Sequence, residues 1–337
     1  MPTNPNTNPN THPYKISVSA KNFVVMVAMA GLIVQAAGAQ SSGAKPGMAA
    51  KSMSGGTAGA AVGGAGAPEV AKVLQSAAEA VGLARWSGVG GQRLPEVDVV
   101  NTMEFWASGT VYGSGGSGPS SKSGEALPAF KTEYHVALCY NPPAMRVEMT
   151  RTNSGASAQS GATPLHTIQV VREKFAWDES EIGGGLIPGK GTATPAVATT
   201  NNRLLQLWIL PYGVIKAAVA AGEKTKMSTE GGSTVLTFPL SGELAGITVK
   251  ATLDADNQVA KVETHSDNPA FSDLLSETQY SEYADHGEIA TDVKSPGHIV
   301  RKQAGHVVMD IQLKKLDANN PYLVFPVPAN IKEAAAH

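Results

Sequence analysis

Regular alternation between apolar and polar residues is the feature that most limits what this chain can fold into. The residues at 133–140 (EYHVALCY) alternate, the breaker NPP interrupts them, and alternation resumes through 144–150 (AMRVEMT). The segments 247–253 and 258–264 repeat this arrangement around an Asp/Asn-rich turn. A period of two places one set of side chains on a buried sheet face and the other in solvent. The pattern therefore predicts antiparallel hairpins.

Further strands and a small number of helices follow from the same reasoning. Additional strand candidates are 99–112, 166–177, 233–240, 277–285, 297–303 and 306–314, so the sheet would have about nine to eleven strands. An apolar repeat at helical spacing after Pro68 predicts one amphipathic helix. Pro211 divides a second helical stretch into 201–209 and 211–221. We expect an α+β fold in which short helices pack on the apolar face of an antiparallel sheet.

The N-terminal residues have the three parts of a secretory signal. Lys15 and Lys21 precede twelve apolar residues at 23–34, and the small-residue site Ala37-Gly38-Ala39 follows. The apolar run is shorter than the ~20 residues that a membrane span needs. We expect residues 1–39 to be removed after Ala39, which makes the protein periplasmic or secreted and leaves no transmembrane span. An uncleaved N-terminal anchor is the alternative.

Composition divides the rest of the chain. Residues 40–67 are rich in Gly, Ala and Ser and predict a disordered tether, since such a segment buries too little to offset its ordering entropy. A single folded domain is expected over 68–331, followed by a tail at 332–337. Three stretches within the domain read as inserted loops: 113–124, 152–164 and 178–202.

Charge and cysteine content exclude several functions. The formal net charge is -2, which provides no electrostatic footprint for nucleic acid. Cys139 is the one cysteine, so neither a disulfide framework nor a thiolate zinc site is expected. No H-x-H, H-E-x-x-H or G-x-S-x-G motif occurs, and we expect no cofactor, no metal and no enzymatic activity. An enzyme with an unrecognised site near Asp285, His286 and His298 is the remaining catalytic alternative.

The strongest candidate for function is apolar surface on or beside the strands and helices. Its residues are Phe105, Trp106, Tyr134, Tyr140, Met145, Phe175, Trp177, Trp208 and Phe238. They either form an ordinary core or line a hydrophobic cavity that holds a ligand such as an acyl chain. Composition does not separate the two, because both require the same residue types.

Several motifs between about 131 and 331 resemble those of one protein family. They are LQLWILPYGVIKAA at 205–218, KVETHSDNPAFSDLLSETQYSEYADHGEI at 261–289, HIVRKQAGHVVMDIQLKKLDAN at 298–319 and VFPVPANI at 324–331. Together they resemble the N-terminal domain that precedes the metallo-β-lactamase-fold domain in certain secreted bacterial hydrolases. That domain is in turn similar to the lipoprotein-carrier and outer-membrane lipoprotein-sorting group.

The resemblance implies a curved antiparallel sheet, an unclosed β-barrel, that wraps over short helices and encloses a hydrophobic cavity. The zinc motif H-x-H-x-D-H of the hydrolases does not occur in the sequence, so their activity is not expected here. The resulting hypothesis is a non-enzymatic exported module that binds a lipid or another apolar ligand. The alternative is a scaffold or interaction domain with a filled core, which works on a partner hydrolase or another envelope protein.

Overall fold

A computed structural model describes the fold of residues 67–84, 100–113, 127–153, 164–266, 274–285 and 293–335. The helices are α1 (Ala67–Ala80), α2 (Thr200–Trp208), α3 (Pro211–Ala221) and α4 (Ala329–Ala334). The strands are β1 (Thr102–Tyr112), β2 (Ala129–Tyr140), β3 (Pro143–Asn153), β4 (Leu165–Arg172), β5 (Phe175–Glu179), β6 (Ala193–Pro195), β7 (Lys226–Glu230), β8 (Ser233–Pro239), β9 (Thr248–Leu253), β10 (Val259–Ser266), β11 (Leu274–Asp285), β12 (Lys294–Gln303) and β13 (His306–Ala318).

All thirteen strands of the described residues belong to one antiparallel sheet, whose two edges are β6 and β7. Its order is β6-β5-β4-β3-β2-β1-β13-β12-β11-β10-β9-β8-β7. Strands that are neighbours in sequence pair with each other, except β6 and β7, and β1 also pairs with β13 in the middle of the sheet. Helices α2 and α3 connect the two edges, so they cross one side of the sheet. We call this the inner side and the opposite one the outer side.

Local irregularities in the ladders favour a bent sheet. Register shifts occur between Trp106 and Ala107 and between Arg301 and Lys302, and such bulges increase the twist of a strand. Gly109 lies so close to β13 that an added Cβ would be 2.1 Å from the carbonyl oxygen of Asp310. Only glycine permits this backbone approach, which brings β1 and β13 together at the centre of the sheet.

Each side of the sheet carries its own apolar cluster. The inner cluster joins α1, α2 and α3 to inward-facing residues of β1–β5 and β8–β13. The outer cluster is smaller and lies on β2–β6, where Trp177 is 1% exposed. Phe325 and Ile331, from the segment after β13, cover this outer cluster. The inner side therefore carries α1, α2 and α3, and the outer side is partly covered by the C-terminal segment with α4.

The C-terminal segment is held in place by polar contacts as well. The Arg172 guanidinium donates to the Phe325 carbonyl at 3.0 Å, and the Asn330 amide donates to the Ala193 carbonyl at 2.8 Å. Asn320 donates to the Glu104 carboxylate at 3.2 Å. These bonds tie the segment from its start to its final helix.

The predicted fold class is confirmed: the chain forms an unclosed antiparallel sheet with a few short helices. The predicted helices at 201–209 and 211–221 correspond to α2 and α3. The count of nine to eleven strands is too low for the described residues. The predicted strand 166–177 is two strands because Glu173 has a positive φ of 51° and turns the chain between them. Strands β6 and β7 were missed because they are short and mostly polar.

Several predictions fall outside the described residues. The signal peptide at 1–39 lies there, as do all but the last residue of the tether predicted at 40–67 and most of the loops at 113–124 and 152–164. Ala67, the last residue of the predicted tether, is the first residue of α1. The loop predicted at 178–202 is described, and it contains β6, a short 3-10 helix and the start of α2. Helix α4 crosses the predicted boundary at residue 331.

Candidate functional site

A pocket on the inner side lies where the C-terminal half of α2 meets the sheet. Gln206 and Leu210 line it from the helix region, and β1–β3 and β11–β13 supply the rest of its wall. The residues from the sheet are Phe105, Tyr134, Val136, Met145, Tyr280, Ile299, Arg301, Met309 and Ile311. Apolar side chains thus form most of the lining, with Tyr134, Gln206, Tyr280 and Arg301 as the polar groups.

The space enclosed by this pocket is about 10 Å³, which is room for a single water molecule. A drug-sized ligand occupies a site of roughly 300 Å³ or more. The enclosed part of the pocket therefore does not contain an acyl chain in this conformation. Tyr134 and Arg301 are only half-buried, so the lining continues onto surface that solvent reaches.

Helix α2 is fixed over the pocket by polar contacts at both ends. Arg203, 5% exposed, donates to the backbone carbonyls of Val170 at 3.0 Å and Trp177 at 2.6 Å. At the other end the Tyr280 hydroxyl donates to the Ile209 carbonyl at 2.7 Å. Such buried bonds are costly to break, because the freed carbonyls have no water to replace the lost donors. The helix is therefore a fixed wall of the pocket.

The tyrosines near the pocket are neutral hydrogen-bonding groups. Burial raises the pKa of Tyr134, and the positive charge of Arg301 offsets this effect only in part. Burial also raises the pKa of Tyr280 far above its ordinary value. Both hydroxyls stay protonated at physiological pH, so Arg301 has no phenolate to pair with.

Six of the nine predicted site residues belong to the inner side. Phe105, Tyr134 and Met145 line the pocket. Tyr140 and Trp208 pack against each other with ring centroids 5.8 Å apart, and Phe238 is buried in the same cluster. The structure brings these six into one apolar region but places only the first three at the pocket.

The other three predicted residues lie on the outer side, so the structure does not bring all nine candidates to one cavity. Trp106 follows Phe105 in β1, and successive side chains of a strand point to opposite faces. Its ring stacks on the His135 ring at 4.7 Å. Phe175 and Trp177 belong to the outer cluster. Aromatic character drew attention to all three, but the strand period decides which side they occupy.

Sequence reasoning missed most of the pocket's polar and β11–β13 residues. Met309 and Ile311 were recognisable, since they belong to the alternating apolar set of 306–314. Alternation with Ile299 also places Arg301 on the same face. Gln206 and Leu210 carried no comparable signal, because the way in which α2 sits on the sheet is decided by tertiary packing.

The outer side carries a network of ionisable groups. His135 contacts the Glu104 carboxylate through Nε2 at 2.8 Å and the Glu148 carboxylate through Nδ1 at 3.3 Å. His166 contacts the other oxygen of Glu148 at 2.9 Å. Within the described residues, no group of three or more His, Cys, Asp or Glu side chains is arranged to hold a metal ion.

Near Asp285, the part of the chain that the structure describes shows no group of side chains arranged for catalysis. His286 lies outside the described residues. His298 contacts the Asp310 carboxylate at 2.8 Å, which joins two neighbouring strands. Cys139 is buried on the outer side, where its thiol lies 3.3 Å from the Asn141 carbonyl.

Comparison of the chain with protein-family models, with curated proteins and with solved structures returned no match. None of the described helices is both long and apolar enough to cross a membrane by itself. The pair Val197–Trp208 and Pro211–Lys224, bent by 94°, meets the length and composition criteria when taken together. In the fold these two segments run over the inner side of the sheet between its edges.

Proposed function

We propose that this protein is an exported, non-enzymatic module that binds a lipid or another apolar ligand on the inner side of its sheet. The observation that carries the proposal is the apolar pocket beneath α2, whose lining continues onto half-buried residues at its mouth. The ligand lies mainly along this accessible surface, because the enclosed part has room for only one water molecule. The signal-like N-terminus and the resemblance to lipoprotein carriers support the same proposal.

Ligand uptake by delipidated protein tests this proposal. The full chain is stripped of bound lipid and titrated with the uncharged fluorophore N-phenyl-1-naphthylamine, whose emission rises in apolar surroundings. We expect saturable binding that an added long-chain alcohol reverses. Met145→Asp is expected to weaken binding at least ~10-fold, because it places a charge in the apolar lining. Thr150→Asp on the same strand, half-buried and outside the pocket lining, is the control. Absence of uptake by any apolar probe would refute the proposal.

A second candidate function is a scaffold or interaction domain for a hydrolase or another envelope protein. The small enclosed volume favours it, since the helices and the sheet leave little space between them. Tyr322 and Val324 also favour it, because they are 87% and 68% exposed beside the outer cluster. The uptake experiment separates the ligand-binding module from the interaction domain. An interaction domain would bind no apolar probe, and the Tyr322→Ala substitution would abolish its binding to a partner protein.

A further inference from the structure

Two arginine side chains lie at the same level on the inner side of the sheet. Arg301 of β12 and Val111 of β1 both pair with the same residue of β13. Arg151 of β3 and Gly109 of β1 both pair with the same residue of β2. Val111 and Gly109 are two apart in β1, so they share a face. Strands β1, β3 and β12 run in one direction, and Trp208 packs on Tyr140 towards the opposite end of the sheet. Both arginines therefore lie towards the end of the inner side that is opposite to Trp208 and Tyr140.

Neither guanidinium has an anionic partner within the described residues. The Nε atoms of Arg151 and Arg301 are buried and make no hydrogen bond. Arg151 lies over the Phe130 ring at 5.9 Å, and burial lowers its pKa. Arg203, on the same side, instead makes two carbonyl contacts and an ion pair with Asp178 at 2.7 Å. A buried donor atom without a partner is costly, so the Nε of each arginine has an unsatisfied hydrogen-bonding capacity that a ligand could meet.

The residues around Arg301 indicate which kind of ligand its guanidinium would bind. Its guanidinium lines the pocket beside the Tyr134 phenol and a wall of apolar side chains such as Met309. A guanidinium binds carboxylate or phosphate through two parallel hydrogen bonds, and the apolar wall suits a hydrocarbon chain. A ligand that satisfies both is an amphiphile with an anionic head.

We infer that the ligand is an anionic single-chain amphiphile whose carboxylate or phosphate head binds Arg301, while its hydrocarbon chain contacts the apolar inner side. This inference rests on the proposed function and narrows it from any apolar ligand to an anionic one. Arg151 provides a second positive charge on the same side and adds to the preference for an anion. The outer side has no part in it.

Matched ligands test the head group. Displacement of N-phenyl-1-naphthylamine from the delipidated full chain is measured with decanoate, decyl phosphate and 1-decanol, which share one chain length. We expect both anions to bind at least ~10-fold more tightly than the alcohol. Arg301→Gln is expected to raise the Kd of the two anions about 10- to 100-fold, the range for one charged hydrogen-bond pair, and to leave 1-decanol within about twofold.

Controls separate this inference from the proposed function. Arg146→Gln removes an arginine from the outer side, where it lies over the Phe325 ring, and should leave the anion preference intact. Arg301→Lys keeps the positive charge but not the planar pair of donors, so the preference for anions should become smaller and still be measurable. This variant tests the inference even if Arg301→Gln does not fold. Inorganic phosphate and acetate should not displace the probe, which excludes a free-anion site. Equal binding of 1-decanol and decanoate, or an unchanged preference in both Arg301 variants, overturns the inference while leaving the proposed function standing. Binding of no ligand at all refutes the proposed function itself.

Discussion

At the residue scale, hydrogen bonds on the outer side link a few histidine and glutamate side chains, so the protonation of one affects the others. His135 is enclosed by the carboxylates of Glu104 and Glu148 and stacks on Trp106, with rings inclined by only 8°. Burial alone would raise the pKa of Glu148, but hydrogen bonds from His166 and His135 outweigh it and hold that pKa below its ordinary value. Glu148 therefore contributes to stability as a carboxylate, and that contribution depends on pH.

Replacing Glu148 should make the protein's stability less sensitive to acid. A folded-state pKa below the unfolded value stabilises the protein above the ordinary pKa of 4.5, and this stabilisation disappears as pH falls through the lower folded value. Glu148→Gln should lower the free energy of unfolding at pH 7 by about 1 kcal/mol. Its stability should then decline less steeply than the wild type below pH 4.5, as measured by urea unfolding.

The exposed Glu133 on the same side provides the control for this measurement. Its carboxylate contacts Lys314 at 2.9 Å with 71% of the side chain exposed. Glu133→Gln should change the free energy of unfolding by less than ~1 kcal/mol. An identical acid profile for Glu148→Gln and the wild type would contradict the role assigned to Glu148.

At the scale of single elements, α2 depends on the sheet that it covers. A helix of nine residues is marginal in water by itself, so its contacts hold it in place. Arg203 joins its N-terminal half to β4 and β5 by bonding one carbonyl on each strand. The break before Pro211 then lets α3 turn away by 94°. The position of the pocket wall is thus decided by side-chain contacts to backbone atoms.

Removing the Arg203 guanidinium should destabilise the protein more than removing its acidic partner. Arg203→Met removes the charged donor from the buried carbonyls of Val170 and Trp177, which should cost about 2 to 4 kcal/mol of unfolding free energy. Asp178→Asn should cost less than ~1 kcal/mol, since 52% of that side chain is exposed. Urea unfolding of both variants measures the difference. Equal losses would show that the ion pair, and not the carbonyl contacts, anchors the helix.

At the scale of the whole described fold, the sheet is stabilised from both sides. The inner cluster includes three helices, whereas the outer cluster is completed only by the segment that follows β13. Phe325 and Ile331 are 6% and 1% exposed although they lie within thirteen residues of the chain end. The C-terminal segment is therefore part of the core.

A substitution in this segment should be as damaging as one in the centre of the sheet. Phe325→Ala should lower the free energy of unfolding by about 3 to 5 kcal/mol, because it opens a cavity over Trp177 and its neighbours. Val324→Ala, one residue away with 68% of its surface exposed, should change it by no more than ~0.5 kcal/mol. Chemical denaturation followed by Trp fluorescence measures both. Similar stability of the two variants would show that the segment does not cover the cluster.

The length and regularity of each strand decide whether the side of the sheet that a site residue occupies can be predicted from the sequence. Phe105, Tyr134 and Met145 lie on a common face because each belongs to a long strand, in which alternate side chains point to the same side. Trp177 was misplaced because its strand has only five residues, three of them buried, and alternation is weak there. Arg301 was overlooked because a charged residue in a strand is ordinarily a solvated one, and only the pocket shows that it faces inward.

The sequence by itself determined the class of fold and the break between α2 and α3, because alternation and a proline act over a few neighbouring residues. Only the tertiary structure decided that β1 pairs with β13, that the C-terminal segment covers the outer cluster and that Arg301 lines a pocket. These features join residues that are far apart in the sequence, such as Met103 of β1 and Ala318 of β13. Their geometry depends on how the sheet bends and which side each helix covers, and no local pattern encodes it.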